Sequence, residues 1–265
     1  MSNDRPIGIF DSGLGGLSVY QKIRALLPAE DIIYFADSAY CPYGTRPPHE
    51  INQRCEVIAA RLLELGAKVI VVACNTASSV SIWHLREMFP TVSFIGLEPA
   101  VKPAVEYTRS GKVGVLATPR TVAGERLRWL IEHFAGGVEV HSVAATGLVE
   151  LVEAGVLQGE AVTRALQPLL DPMIEIGVDG VVLGCTHYPF LRDEIQRYVG
   201  SGIRVIDSGE AIARRTKFLL EQDDALTDRA QLGSFRLLTS GDDALVRDVA
   251  ATLLGSFVAT SAETL

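Results

Sequence analysis

An internal repeat constrains the fold of this chain more than any other feature of its sequence. The segment 66–76 reads GAKVIVVACNT, and the segment 177–187, which lies 111 positions later, reads GVDGVVLGCTH. The segments 7–12 and 94–100 resemble 113–118 and 205–211 in the same order. Chance likeness between βαβ units is the alternative, but the shared order and spacing favour two copies of one structural unit. We therefore predict two similar lobes related by pseudo-two-fold symmetry.

Short β-branched runs alternate with longer amphipathic stretches, which predicts an α/β fold. Near-continuous apolar strands between helices are typical of mostly parallel sheets with helices on both faces. In the stretch 50–65 the apolar residues recur every three or four positions, as one buried helix face requires. Strands are predicted at 7–10, 32–35, 69–73, 92–95, 113–117, 138–143, 178–183, 204–206 and 235–239, and helices at 16–27, 50–65, 78–89, 122–134, 159–176, 190–199, 210–221 and 243–254.

The repeat also predicts the domain boundaries. The segment after position 210 has no partner in the repeat, so we expect it to return and complete the first lobe. The first lobe would comprise residues 1–97 and 208–265, and the second lobe residues 98–207. We expect the active site in the cleft between the lobes, near 97–101 and 207–210.

Composition excludes several classes of function. The 265 residues carry a net charge of −8 and no cluster of Lys and Arg, which argues against a nucleic-acid partner. The four cysteines form no C-x-x-C pair, so we expect no metal. No apolar run approaches the roughly 20 residues that cross a membrane, and the polar first ten residues do not resemble an export signal. We expect a cytoplasmic protein with reduced thiols and no membrane partner.

Two cysteines stand where chemistry is expected. Ligands of parallel α/β sheets bind beyond the carboxyl ends of the strands. Cys74 and Cys185 each follow a predicted strand and precede a predicted helix start, which favours the thiolate form. A lone cysteine in such a place is more often a small buried hydrophobe. Equivalent positions in two repeats instead favour a paired acid–base role, whereas Cys55 falls on an apolar helix face and is predicted to be core.

The glycine-rich turn after the first predicted strand is a second candidate site. Asp11 and Ser12 precede glycines that allow a tight turn and a close approach of backbone to ligand. A dinucleotide site is the alternative, but Ser18 stands at the third glycine of G-x-G-x-x-G, and no P-loop lysine follows. Asp11 could steer a proton or cap the next helix.

Several other polar residues are candidates for substrate binding. His187 either steers protons near Cys185 or is a hydrogen-bonded structural histidine. Glu150 either binds a substrate amine or lies on a solvated helix face. Hydrogen-bonding groups for a carboxylate or an amine are offered by Asn75, Thr76, Thr186 and His187.

Opposed thiols suit one kind of reaction. Inverting a stereocentre by proton transfer needs a base on one face of the carbon and an acid on the other. Two similar lobes with one thiol each supply both positions. A C–H group beside a carboxylate and an amine is a very weak acid, so such a site must stabilise the developing charge with preorganised donors in a dry pocket.

The motifs resemble those of the glutamate racemase family, within the aspartate/glutamate racemase superfamily. The matching segments are GIFDSGLGG at 8–16, PYGT at 42–45, ACNTA at 73–77 and GCTHYP at 184–189. The resemblance implies interconversion of L- and D-glutamate without a cofactor or a metal, with D-glutamate supplied for peptidoglycan synthesis. It also implies a homodimer. Ala117 stands where the family often has glycine.

The resemblance also implies roles for individual residues. Cys74 would take the α-proton from D-glutamate and Cys185 would take it from L-glutamate, with Asp11 and His187 assisting the respective thiols. Thr118 and Thr121 would bind the carboxylate. Further substrate contacts would come from Asp11, Ser12, Tyr43, Gly44, Asn75, Thr76, Thr186 and His187.

Other activities remain as alternatives. The superfamily chemistry could be that of an aspartate racemase, a hydantoin racemase or a one-cysteine decarboxylase. A two-lobed amino-acid-binding protein without catalysis would also explain the repeat. The two matched cysteines argue against the decarboxylase and against a protein that only binds.

Overall fold

The computed structural model describes residues 3–255 and 262–264. The chain forms two compact units, Met1–Leu97 with Gly209–Leu265 (unit 1) and Glu98–Ser208 (unit 2). The strands are β1 Ile7–Asp11, β2 Ile32–Ala36, β3 Val69–Val72, β4 Phe94–Gly96, β5 Lys112–Ala117, β6 Glu139–Ala144, β7 Gly180–Gly184, β8 Arg204–Ile206, β9 Phe235–Thr239 and β10 Ala262–Thr264. The helices are α1 Leu17–Leu26, α2 Pro48–Glu64, α3 Asn75–Met88, α4 Val101–Tyr107, α5 Pro119–Ala123, α6 Glu125–Phe134, α7 Leu148–Glu153, α8 Glu160–Glu175, α9 Arg192–Val199, α10 Gly209–Gln222 and α11 Asp243–Leu254.

Unit 1 is built on a parallel sheet with the strand order β10-β9-β2-β1-β3-β4 in the described residues. Every residue of β1, β2 and β3 is buried, because helices cover both faces of a parallel sheet. Helix α1 packs against α10, and α2 packs against α3. One part of the core joins the strand residues Phe10, Phe35 and Val72 to Ile58 and Leu62 on the apolar face of α2.

Unit 2 is built on a smaller parallel sheet with the order β6-β5-β7-β8. Its strands β5 and β7 are almost wholly buried, and the edge strand β6 is partly exposed along its length. Apolar residues of β5 and β7, among them Val113, Val115 and Val182, pack against Leu127 and Leu130 of α6. The four-strand order of unit 2 matches the order β2-β1-β3-β4 within unit 1, which is the internal repeat in structural form.

The predicted α/β class is therefore confirmed, with two parallel sheets and helices on their faces. Some predicted boundaries are wrong. Helix α3 begins at Asn75 and not at 78, because the Cys74 side chain caps its first turn. The predicted helix 122–134 is two helices, since Gly124 is extended (φ −76°, ψ 144°) and separates α5 from α6.

Three elements were not predicted. Helices α4 and α7 contain seven and six residues, and β10 contains three, so each is too short to show a clear periodic pattern. Helix α7 matters for the site, because it carries Glu150 and Glu153. None of the helices in residues 3–255 has the length and apolar character needed to cross a bilayer.

Candidate active site

In unit 1 the polar residues collect at the carboxyl edge of the sheet. Asp11 ends β1 and Cys74 follows the adjacent parallel strand β3, with Phe10 opposite Val72 in the register. Asp11, Ser12 and Cys74 are all buried, and Cys74 Sγ lies 3.7 Å from Ser12 Oγ. The predicted pair of strand ends is therefore one cluster of polar groups.

Cys74 is also the N-cap of helix α3. The backbone N–H of Ala77 donates a hydrogen bond to Cys74 Sγ over 3.4 Å. The positive end of a helix and an amide donor both stabilise a thiolate. Beside it, Asn75 Oδ1 is buried and accepts no hydrogen bond from the described residues. A buried amide oxygen of this kind is an acceptor for a bound donor such as an ammonium group.

Asp11 stabilises the glycine-rich turn, residues 12–16, by hydrogen bonds. Its Oδ2 accepts hydrogen bonds from the backbone N–H groups of Gly13 at 3.3 Å and Gly16 at 3.1 Å. The Tyr34 hydroxyl donates to the carbonyl of Gly13 at 2.9 Å. A Cβ at position 16 would lie 2.7 Å from the Tyr34 hydroxyl and 2.8 Å from Asp11 Cβ, so only glycine fits there. Asp11 therefore holds the turn that carries Ser12, and it is not the N-cap of α1.

Tyr43 and Gly44 lie on a short 3-10 turn, Tyr43–Thr45, before α2. The Tyr43 side chain is fully buried, and its hydroxyl donates to Asp37 Oδ2 at 2.6 Å. Burial, together with the nearby Cys55, Asp37 and Cys74 groups, raises the pKa of Tyr43 far above its usual range. The tyrosine is thus a neutral donor that is committed to Asp37, and Gly44 beside it is half-buried.

In unit 2 Cys185 follows β7, and Ala117 of β5 stands opposite Gly184. A Cβ at position 184 would lie 2.9 Å from Ala117 Cβ and 3.2 Å from the carbonyl oxygen of Leu116. Glycine before the cysteine therefore makes room for the Ala117 methyl. The predicted helix 190–199 begins two residues later than predicted, because a 3-10 turn, Tyr188–Leu191, comes first and α9 begins at Arg192.

Cys185 Sγ lies next to the imidazole of His187, whereas Cys74 Sγ lies at the start of helix α3. Cys185 Sγ lies 3.6 Å from His187 Nδ1, and His187 Nε2 lies 2.6 Å from Glu153 Oε1. An ionised Glu153 places the ring proton on Nε2, which leaves Nδ1 as an acceptor facing the thiol. The arrangement can receive a proton from Cys185 and return it.

The remaining predicted residues of unit 2 have different surroundings. Thr118 caps α5, accepting from the Thr121 backbone at 3.3 Å and donating to the Thr121 hydroxyl at 3.0 Å. Thr118, Thr121 and Thr186 are buried near the strand ends. Glu150 is exposed on α7. Contact of these four residues with a substrate stays a prediction.

The sequence and the fold both match known racemases. The family model described as Asp/Glu/Hydantoin racemase matches residues 7–216. A glutamate racemase from Herpetosiphon aurantiacus is 52% identical over 241 residues, which cover 91% of this chain and 94% of that protein. The chain belongs to the Asp/Glu/hydantoin racemase family. It is an amino-acid racemase, an isomerase, and the resemblance seen in its motifs is confirmed.

Solved structures agree with this assignment. The glutamate racemase isoform RacE1 from Bacillus anthracis superposes with a TM-score of 0.90 at 30% identity, covering 99% of this chain and 98% of that one. The Escherichia coli glutamate racemase, solved with L-glutamate and the activator UDP-MurNAc-ala, gives a TM-score of 0.87 at 37% identity and 98% coverage of both chains. The fold of the racemase is thus that of both relatives.

Sequence reasoning missed two acidic residues of this racemase. Glu153 escaped notice because it lies 34 positions before its partner His187, on a helix that was not predicted. The available signal was its spacing of three from Glu150, which puts both carboxylates on one side of α7.

Asp37 is the second missed residue. Besides the Tyr43 hydroxyl, it accepts two hydrogen bonds from Arg54 at 2.7 and 3.0 Å and one from Ser240 Oγ at 2.7 Å. Asp37 is fully buried, so these charged and polar partners compensate its desolvation. In the racemase it joins α2, the end of β9 and the Tyr43 turn.

Proposed function

We propose that this protein interconverts L- and D-glutamate by exchanging the α-proton between Cys74 and Cys185, without a cofactor. The observation that carries the proposal is the equivalence of the two thiols. Each follows the corresponding strand of its unit, β3 or β7. Each is buried next to a group that can stabilise a thiolate or exchange a proton with it. The substrate is inferred from relatives of 43–52% identity that are glutamate racemases.

The two thiols have different means of holding a negative charge. Cys74 has the Ala77 amide and the first turn of α3, and Ser12 is close to it. Cys185 has the imidazole of His187, which is backed by Glu153. Because the proposed reaction runs in both directions, each sulfur must be stable both as thiol and as thiolate.

The proposed proton transfer follows from these partners. The Cys185 thiolate takes the α-proton of L-glutamate, and the C–H electron pair is left on the substrate as a carbanion. The Cys74 thiol then gives its proton to the opposite face of the carbon. The products are D-glutamate, a Cys74 thiolate and a Cys185 thiol, which is the arrangement needed for the reverse reaction.

Substrate contacts are proposed from the donors and acceptors at the strand ends. The unpaired Asn75 Oδ1 suits the substrate ammonium. The hydroxyls of Ser12, Thr76, Thr118, Thr121 and Thr186 suit carboxylate oxygens, where charge develops as the proton leaves. A buried group that stabilises this charge contributes more than an exposed one, because little water screens it.

Three further parts of the proposal come from the family resemblance. We propose that D-glutamate from this reaction supplies peptidoglycan synthesis, that the enzyme acts in the cytoplasm and that it is a homodimer. Light scattering during gel filtration measures the last point directly, with twice the mass of 28.6 kDa as the expected result.

The test uses purified protein treated with a chelator and supplied with no pyridoxal phosphate. L-glutamate should lose its circular dichroism signal, whereas L-aspartate and a 5-substituted hydantoin should react far more slowly. Cys74→Ser and Cys185→Ser should each slow racemisation by at least roughly 10³-fold, as loss of an essential acid or base does. Normal racemisation by both variants would refute the mechanism.

Cys55 provides the matched control. It is fully buried on the core-facing side of α2, and burial raises the pKa of Cys55 to about 12. Cys55→Ala should therefore retain activity at 25 °C, although the small cavity should lower the melting temperature. If the wild-type protein turns over aspartate or the hydantoin and not glutamate, the proposed substrate is wrong and the family assignment still stands.

A further inference from the structure

Each thiol has a buried tyrosine beside it, and the two tyrosines are used differently. The Cys74 side chain helps to raise the pKa of Tyr43, whose hydroxyl donates a hydrogen bond to Asp37 Oδ2 at 2.6 Å. Tyr188 is fully buried on the 3-10 turn after β7, and the Cys185 side chain helps to raise the pKa of Tyr188. The Tyr188 backbone N–H donates to the carbonyl of Cys185 at 3.2 Å, so the two residues belong to one tight turn.

The Tyr188 hydroxyl makes no hydrogen bond of ordinary geometry within the described part of the chain. A buried hydroxyl without a partner is costly, and native structures seldom keep one without a functional reason. Among the ionisable side chains, Cys185 acts most strongly on this hydroxyl. A neutral thiol is a weak acceptor, whereas a thiolate is a strong one. The hydroxyl is thus a donor whose acceptor becomes strong when Cys185 is ionised.

We propose that Tyr188 is a positioning residue that holds its hydroxyl for the Cys185 thiolate and so favours the ionised form of the base acting on L-glutamate. The inference rests on the proposed function, since it assigns Cys185 to the L face. Burial, reinforced by Cys185 and Glu150, raises the pKa of Tyr188 well above its usual range, so the phenol donates its proton in a hydrogen bond and does not lose it.

Most of the other charged groups on the elements around Cys185 in unit 2 have partners of their own. His187 contacts Glu153 on α7, which packs against the turn that carries Tyr188. The elements packed against this turn and against β7 carry the charged residues Lys102 and Glu106 on α4, Lys112 on β5, Glu150 and Glu153 on α7, Arg192, Asp193, Glu194 and Arg197 on α9, and Arg204 on β8. Lys102 pairs with Glu106 and Arg197 with Glu194, while Arg192 pairs with Asp207. Among these groups, Glu150 and the Cys185 thiol are those that act on Tyr188.

The test must read each thiol separately. Racemisation alone cannot do so, because its equilibrium constant is one and kcat/KM must therefore be equal in the two directions. Elimination from 3-chloroglutamate needs only one base. The thiolate takes the α-proton, the C–H electron pair forms the Cα=Cβ bond and chloride leaves. The enamine then becomes the imine, which water hydrolyses to 2-oxoglutarate and ammonia. The L series reports on Cys185 and the D series on Cys74.

Tyr188→Phe removes the hydroxyl and keeps the ring. Loss of a hydrogen bond to a charged sulfur should move the acid limb of the pH profile for the L series upward by about one unit. The D-series profile should stay in place. An unchanged L-series profile, an equal shift in both series, or a fall in rate without a shift would each overturn the proposal.

Tyr198→Phe is the matched control within unit 2. The Tyr198 hydroxyl donates to Asp171 at 2.5 Å between helices α9 and α8. Its loss should lower the melting temperature and leave both pH profiles unchanged. Should Tyr188→Phe fail to fold, 3-fluorotyrosine incorporated at position 188 gives the opposite test. Its more acidic hydroxyl is a stronger donor, so the L-series limb should move downward, and no movement would overturn the proposal.

The proposed function and the role of Tyr188 can be refuted separately. If the wild-type protein does not racemise glutamate, the proposed function is wrong. If it does, and if Tyr188→Phe retains the wild-type profile for the L series, only the role of Tyr188 is wrong.

Discussion

Glu153 and His187 lie 34 positions apart in the sequence, yet their side chains share a hydrogen bond of 2.6 Å. The imidazole can accept a proton from Cys185 only if Nδ1 does not already carry one, and the Glu153 charge favours that tautomer. Glu153→Gln keeps the shape of the side chain and removes its charge. We expect kcat for racemisation to fall at least about tenfold, because the histidine becomes a weaker base.

A second histidine–glutamate pair provides the control for this prediction. His84 and Glu56 form a contact between α3 and α2 in which both side chains are about one-third exposed (34% each). Glu56→Gln should change kcat by less than twofold. Equal effects of the two substitutions would show that Glu153 has no special role.

At this scale the sequence predicted the two thiols at the strand ends better than the side chains that contact them. Cys74 and Cys185 could be chosen because the repeat places them at equivalent strand ends. Glu153 and Asp37 could not, because their roles depend on contacts between segments that are distant in the chain. Such contacts leave no periodic signal in the sequence, so only the folded structure shows them.

At the scale of elements, the turn between β1 and α1 is held by close packing around Gly16. A Cβ at this position would meet the Tyr34 hydroxyl at 2.7 Å, Asp11 Cβ at 2.8 Å and Ala73 Cβ at 2.9 Å. None of these atoms ends a flexible chain, so Gly16→Ala should lower the free energy of unfolding by about 1–3 kcal/mol. Urea denaturation measures this change.

Gly202 is the matched control, since a Cβ there would meet nothing within 4 Å. Gly202→Ala should leave stability within about 0.5 kcal/mol of the wild type, as surface substitutions usually do. A Gly16→Ala variant as stable as the wild type would contradict the packing argument. The Gly16 N–H also donates a hydrogen bond to Asp11. A shift of residue 16 in the same variant should therefore displace the turn that carries Ser12 and raise KM.

The elements themselves were mostly predictable, whereas their ends were not. Periodic apolar residues identify α2 and the buried strands from the sequence alone. The start of α3 depends on a cysteine acting as an N-cap, and that role requires the sulfur to face the Ala77 amide. Cysteine is not among the residues that usually cap helices, so the sequence gives no signal for it.

At the scale of the whole molecule, unit 1 is assembled from two separate parts of the chain, and a buried ion pair joins them. The fully buried Lys68 side chain pairs with Glu30 at 2.6 Å and donates to the carbonyls of Asn3 and Ala225 at 2.7 and 2.8 Å. Glu30 accepts from the Thr227 backbone at 2.9 Å. The start of the chain and the returning segment are thus fixed to the same ion pair.

Lys68→Met should lower the free energy of unfolding by roughly 3–5 kcal/mol, because it leaves the Glu30 carboxylate buried without its partner. The double variant Lys68→Met/Glu30→Leu should recover part of this loss, since no charge then stays buried. Chemical denaturation of the two variants checks the prediction. A single variant that loses less than about 1 kcal/mol would show that the pair is not needed to close unit 1.

The transfer of protons between two thiols is tested most directly by racemisation of L-glutamate in D₂O. At early times each D-glutamate formed should carry deuterium at Cα, because its hydrogen comes from a cysteine that has exchanged with solvent. The remaining L-glutamate should carry almost none, because Cys185 returns the proton that it has just removed. If the D-glutamate retains the original proton, or if deuterium enters both enantiomers equally from the start, a single base serves both faces and the two-cysteine account is wrong.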